Sequence, residues 1–298
     1  MANGIGYGKI ILFGEHFVVH GCPAIALGIG NKAIVEIQKA EKLSYTSEVK
    51  GTLPKLTTAA IQNIMDAMQI KDAFHVHLKG DLPTIGGLGS SAAFCVALVR
   101  ALNEEYQLNL TDEIINSHAY EGEKAFHGNP SGIDNTMATY GGAIKFIRDK
   151  GFESIKLHSP LYLVVASTGI PSPTAKMVAK VAAFKEKNTK VFDHLLDSAE
   201  KIVSEGVAAL AAGNIQKIGS LMNANQDLLS AIGVSSERND LINRVATEAG
   251  ALGNKLTGGG GGGSCIALAS DENHAQQILD KLKEKRFKGF VTAVGKGS

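Results

Sequence analysis

Residues 82–99 read Leu82-Pro83-Thr84-Ile85-Gly86-Gly87-Leu88-Gly89-Ser90-Ser91-Ala92-Ala93-Phe94-Cys95-Val96-Ala97-Leu98-Val99. The run from Ala92 to Val99 is apolar on every face, which predicts a helix buried all round. Just upstream, Phe74, Val76 and Leu78 alternate with His75, His77 and Lys79, the pattern of a half-buried strand whose histidines face outward. A strand, a glycine loop and a buried helix in that order have two readings. The uncovered N–H groups and partial positive charge at a helix start favour a bound phosphate, but glycines also mark an ordinary tight turn. The loop is not a Walker A loop, because no Gly-x-x-x-x-Gly-Lys-Ser/Thr string occurs in the chain.

On the N-terminal side, Lys9 to Phe13 is mostly apolar and Ala33 to Gln38 alternates, so the first forty residues read as strands bent around glycines, and a helix follows over about 55–68. On the C-terminal side, a helix is predicted from Asp112 to about His127, with Thr111 as N-cap and Asp112 and Glu113 complementing the dipole of its first turn. At roughly 100° per residue, Ile115, Ala119, Gly122 and Phe126 form one core-facing stripe. Glu123 falls beside that stripe and Glu121 nearly opposite, so Glu121 reads as solvated and Glu123 as a carboxylate at the edge of the core. A carboxylate there needs a partner, either a metal ion or a salt bridge. Asp134 follows Asn129-Pro130-Ser131-Gly132-Ile133, a stretch of turn formers that reads as a loop, where an aspartate serves as turn residue, helix cap or base.

Leu161 to Ala166, flanked by Pro160 and Gly169, reads as a buried strand opening a second half of the chain. Helices are predicted at about 173–186, 190–212, 215–231, 236–251 and 273–285, with strands at 265–268 and 288–294. Gly258 to Gly263 is six consecutive glycines. They satisfy Gly-x-Gly-x-x-Gly only trivially, and they lead from helix to strand, the reverse of the dinucleotide-binding order. Either the backbone is approached closely there or the run is a flexible loop.

Composition narrows the class. Of 298 residues, 44% are hydrophobic and 20% charged, which predicts a globular mixed helix and strand protein of about two domains. Thirty basic against 29 acidic residues, without a basic cluster, speak against a nucleic-acid partner. Cys22, Cys95 and Cys265 lie far apart among apolar or small residues, as reduced packing thiols do. The absence of a signal-like start and of a run near 20 apolar residues gives the expectation of a cytoplasmic protein without a membrane contact.

Three blocks together resemble the GHMP kinase superfamily: Gly8-Lys9-Ile10-Ile11-Leu12-Phe13-Gly14-Glu15-His16-Phe17-Val18-Val19-His20-Gly21, then Gly86 to Ala93, then Lys255-Leu256-Thr257-Gly258 through Gly263. The Gly-Glu-His core and the string Glu123-Lys124-Ala125-Phe126-His127-Gly128-Asn129-Pro130-Ser131-Gly132-Ile133-Asp134-Asn135 are similar to the branch of that superfamily acting on mevalonate. The chain departs from the family pattern at Tyr7, where proline is usual, at Gly259, where alanine is frequent, and at Ser264-Cys265, where Cys-Gly is common.

The resemblance implies an α+β fold of two domains, a mixed N-terminal domain over 1–158 and a ferredoxin-like C-terminal domain over 159–298, with ATP and the acceptor meeting in the cleft between them. It implies ATP-dependent phosphorylation of the mevalonate 5-hydroxyl. Phosphomevalonate, homoserine or another mevalonate hydroxyl are the alternative acceptors, and a ligand sensor without turnover is the alternative class. By the same resemblance Asp134 is the base and Lys9 its electrostatic helper, Gly86, Gly87, Leu88, Gly89, Ser90 and Ser91 hold phosphates, and Ser91 and Glu123 hold Mg²⁺. Glu15, His16 and Thr174 lie near the acceptor, although His16 also reads as a structural histidine and Thr174 as a residue of a helix start. A homodimer is the implied assembly.

Overall fold

The computed structural model describes residues 1–84, 86–128, 130–172 and 174–295. Ile85 and Asn129, which the motif strings include, and Pro173, at the predicted start of a helix, lie outside the described residues. The chain divides into two compact units, the first made of Met1–Lys9, Gly28–Thr84 and Leu88–Gly141, the second of Ile10–Leu27, Ile85–Gly87 and Gly142–Ser298.

The first unit is built from parts of strands β1 (Ala2–Phe13) and β2 (Ala24–Ala40), then β3 (Ser44–Ser47), helix α1 (Pro54–Ala67), β4 (Ala73–Gly80), and helices α2 (Ser90–Tyr106), α3 (Asp112–His127) and α4 (Ile133–Tyr140). β4 pairs antiparallel with Ala33–Ala40 of β2 and parallel with β3. The alternation of β4 holds: Phe74, Val76 and Leu78 are buried. His75 and His77 are half-buried on the other face, where Ser44, Thr46 and Glu48 take up their ring nitrogens. The polar strand β3 carries no apolar alternation of its own, so only its partners reveal it. In α2 every residue from Ala92 to Val99 is buried, as the all-apolar sequence requires. It packs against α1, α3 and α4, and Gly4 and Gly6 let β1 approach it so closely that a Cβ at Gly6 would lie 2.0 Å from the Ala93 carbonyl oxygen.

The second unit continues with β5 (Ala143–Ile147), β6 (Gly151–Ser154), β7 (Leu161–Ser167), α5 (Thr174–Lys187), α6 (Thr189–Ala212), α7 (Ile215–Ala231), α8 (Glu237–Glu248), β8 (Gly253–Thr257), β9 (Ser264–Ala269), α9 (Glu272–Glu284) and β10 (Lys288–Val294). β5 pairs antiparallel with Ala24–Leu27 of β2 and with β6. The four strands β7 to β10 form an antiparallel sheet in the order β10-β7-β9-β8. Numbered along the chain, that order is fourth, first, third, second, the split βαβ arrangement of ferredoxin-like domains. Helices α8 and α9 pack on this sheet and α7 lies along β8. α8 starts with a capping box: the Ser236 hydroxyl takes the Asn239 N–H while the Asn239 side chain returns to the Ser236 N–H. The α+β reading with two units therefore describes this chain.

The glycine run is a packed element and not a flexible loop. Gly261 N–H donates to the Val234 carbonyl and Gly263 N–H to that of Ile170, both at 2.8 Å. At Gly260 (φ 68°) a Cβ would lie 2.3 Å from the Val234 carbonyl oxygen, so only glycine fits both the backbone angle and the space. All three cysteines are free and buried. Burial pushes the Cys22 and Cys265 thiols up to about 12 and that of Cys95 well above its ordinary value. Among the described residues no helix is long and apolar enough to cross a membrane.

Candidate active site

Lys9, near the middle of β1, is a lysine with only 3% of its surface exposed. Its Nζ lies 2.9 Å from Asp134 Oδ1, and that aspartate is 30% exposed. The turn formers before Asp134 had pointed to a loop; instead the residue stands in the first turn of α4, whose N-cap is Gly132 with a positive φ of 86°. A glycine in the left-handed region lets the chain swing directly into a helix, so turn composition and helix start coincide here. The aspartate is thereby fixed by a rigid element, and the first turn of a helix favours its negative charge.

The Lys9 side chain is held along its length. Its backbone N–H donates to the Leu88 carbonyl at 2.9 Å, and Gly89, the left-handed N-cap of α2 (φ 69°), lies against its methylenes: a Cβ there would come within 3.0 Å of Lys9 Cγ. The glycine loop therefore shapes the cation's course as well as opening α2. Leu88 and Gly89 are buried and Ser90 and Ser91 half-buried within the first unit; Gly86 and Gly87 belong to the second, where the Ser264 hydroxyl donates to the Gly86 carbonyl at 3.2 Å.

Helical geometry separated the two glutamates of α3, and they are separated in the fold. Glu121 is 41% exposed and paired with Lys124 at 2.7 Å, whereas Glu123 is 1% exposed. Its Oε1 is buried and has no hydrogen-bond partner among the described residues. Burial, and then the Asp134 charge, push the Glu123 carboxyl up to about 8, against the pull of the Ser91 hydroxyl and Lys9. An ionised carboxylate in that position is costly without a cation. Ser91 and Glu123 together offer the oxygen donors that Mg²⁺ takes, and the orphaned Oε1 is the atom such an ion would satisfy.

His127, one helical turn beyond Glu123, completes the group: its Nε2 lies 3.3 Å from Ser91 Oγ and 3.9 Å from Glu123 Oε2. Sequence reasoning used this residue only as a helix end, although the i, i+4 spacing from Glu123 on one helix was a usable signal. Lys9, Asp134, Ser91, Glu123 and His127 thus come together inside the first unit.

The three residues expected near an acceptor are grouped in the second unit. Glu15 is 1% exposed and is met by Nζ of the fully buried Lys255. His16, at φ 61°, donates from Nε2 to the Gly259 carbonyl at 3.0 Å. Because a carbonyl can only accept, this bond places the proton on Nε2 and leaves Nδ1 as an acceptor. Burial is the main reason that the His16 pKa falls to about 4, so the ring is neutral at neutral pH. Thr174 opens α5, and a Cβ on Gly259 would lie 2.6 Å from Thr174 Oγ1. Gly259 is therefore where His16 and Thr174 meet. The frequent alanine of the family pattern would have to displace Thr174 here.

Residues 55–142 match the family model of the GHMP kinases N terminal domain, and residues 207–288 match that of the GHMP kinases C terminal domain. The chain belongs to the GHMP kinase family. Its relatives narrow the comparison to mevalonate kinases. That of Thermococcus sibiricus is 33% identical over 318 aligned residues, covering 97% of this chain and 94% of the relative. That of Archaeoglobus fulgidus is 34% identical over 272, covering 89% and 91%. Among solved structures, the L. major mevalonate kinase in complex with R-mevalonate superposes with a TM-score of 0.93 at 40% identity, covering 99% of this chain and 96% of that one.

Proposed function

We propose that this chain transfers the terminal phosphoryl group of ATP to the 5-hydroxyl of mevalonate, giving mevalonate 5-phosphate and ADP. The observation that carries the reading is the pairing of a buried lysine with a partly open aspartate, Lys9 with Asp134 at 2.9 Å, beside a serine and a buried glutamate with an unsatisfied oxygen. The 40% identity to an enzyme solved with R-mevalonate supports the choice of acceptor.

Phosphoryl transfer asks mainly for position and charge neutralisation. Asp134 accepts the proton of the attacking hydroxyl, and the Lys9 ammonium lowers the cost of the oxygen's developing negative charge. Residues 86–91 direct backbone N–H groups at the phosphates. Ser91 and Glu123 would hold Mg²⁺, which when bound neutralises phosphate charge. Glu15, His16 and Thr174 are assigned to recognition of the acceptor, with neutral His16 as a hydrogen-bond acceptor through Nδ1. The domain division at 158/159, a homodimeric assembly and a cytoplasmic location belong to the same proposal.

The test is ADP release with Mg²⁺-ATP and, in parallel, mevalonate, phosphomevalonate, homoserine, galactose and pantoate, with ³¹P spectra to locate the new ester. Turnover with mevalonate and a 5-phosphate product is expected. Turnover confined to another acceptor, or none with any, overturns the reading.

A further inference from the structure

Within the second unit, β8 and the glycines after it grip the end of β1 and the turn that follows at three residues spaced two apart. Thr257 Oγ1 accepts from the Ile11 N–H and donates to the Ile11 carbonyl, each at 3.0 Å. The Gly259 carbonyl takes the His16 Nε2 proton at 3.0 Å. Lys255, on the same face of β8 as Thr257 by the two-residue period of a strand, sends its Nζ to Glu15 Oε1 and to the Leu256 carbonyl, the latter at 2.6 Å.

Lys255 is 0% exposed and Glu15 1%. A buried ion pair of this kind is no cheap source of stability, since apolar residues of similar volume commonly hold a fold as well or better. β8 is buried at every position, a place where a strand ordinarily carries apolar side chains. The reason for a lysine at 255 therefore lies in what it does to Glu15. Burial lowers the Lys255 pKa and the Glu15 charge is the chief force opposing that fall, so the two residues act as one unit.

We propose that Lys255 is a positioning residue for the phosphoryl acceptor: it fixes the Glu15 carboxylate in one ionised orientation beside His16 and cancels its charge toward an acceptor that is itself a carboxylate. This rests on the reading of Glu15 and His16 as acceptor-recognising residues and of mevalonate as the acceptor. Without Lys255, the buried Glu15 carboxylate would lose its ammonium partner beside an anionic ligand, and acceptor affinity would fall while ATP affinity would not.

The experiment is a double-mutant cycle on the full chain with mevalonate and Mg²⁺-ATP, using Lys255→Met, Glu15→Gln and the pair. Lys255→Met alone is expected to raise KM for mevalonate at least about tenfold and to change KM for ATP less than about twofold. In the Glu15→Gln background the same substitution is expected to change KM for mevalonate by less than about twofold, because the carboxylate that it positions is gone. A further tenfold rise in that background, or equal rises for both substrates in Lys255→Met, overturns the proposal. If Lys255→Met does not fold, the comparison of Glu15→Gln with the pair decides alone, since the pair leaves no buried charge without its partner. Absence of ADP release from wild type with mevalonate defeats the functional reading itself, and the proposal with it; turnover by wild type with an additive cycle defeats only the role of Lys255.

Discussion

Two polar groups of this molecule differ in how much of each is open to solvent. Around Asp134 and Glu123 buried and open groups are mixed: Lys9 and Glu123 are 3% and 1% exposed, Asp134 30% and His127 48%, and the inward Glu123 Oε1 has no hydrogen-bond partner among the described residues. Around Glu15 the charges are sealed, with Lys255, Glu15 and His16 exposed by 0%, 1% and 7%. An incompletely satisfied group is suited to exchanging protons and cations with ligands that come and go. A sealed group is shielded from bulk water and held in one arrangement, which suits discrimination. The contrast fits the proposed division of labour, with chemistry assigned to the first group and recognition of the acceptor to the second.

Asp134→Asn cuts at the open group and should have the largest effect. kcat is expected to fall at least about 10²-fold, within the range usual for a general base, with nucleotide affinity unchanged by titration calorimetry. Near-normal turnover would move the base elsewhere. Acid should expose the sealed group next. The His16 pKa is depressed in the fold to about 4 from 6.5, so its contribution to stability is complete above pH 6.5 and is lost as pH falls through about 4. The loss should approach roughly 3 kcal/mol, read as unfolding free energy against pH, and be missing in His16→Gln.

Glu123→Gln should weaken Mg²⁺-ATP about tenfold while leaving metal-free ATP nearly unchanged; equal losses would make Glu123 a structural carboxylate. The smallest effect is expected at His127. His127→Leu should raise the Mg²⁺ concentration for half-maximal rate about threefold, because the Ser91 hydroxyl loses an alternative acceptor for its proton, and His127→Gln should restore most of it.

The legible part of this architecture follows from periodicity and apolar run length. Ala92 to Val99 could only be a helix with no wet face, and the 100° rule sorted Glu123 from Glu121 without any coordinates. Elements whose cause lies in a neighbour were hidden: β3 is polar and exists through β4, and α4 begins behind Gly132 in residues that spell a turn. Lys255 was hidden for a different reason. A lysine between Asn254 and Leu256 reads as a solvent-facing position, and its burial becomes intelligible only once Glu15, 240 residues away in sequence, is seen opposite it. The candidate site residues were singled out through motif resemblance, which expected Lys9, Ser91, Glu123 and Asp134 around one nucleotide between two domains; the fold groups those four within the first unit.

The three buried thiols have a practical consequence. With Cys22, Cys95 and Cys265 all shielded and their thiolates strongly disfavoured, maleimides and mild oxidants should leave the native chain untouched. A single cysteine installed on the surface would then be the one reactive sulfur, and a fluorophore attached there would report ligand-driven motion without any need to strip the natural residues first.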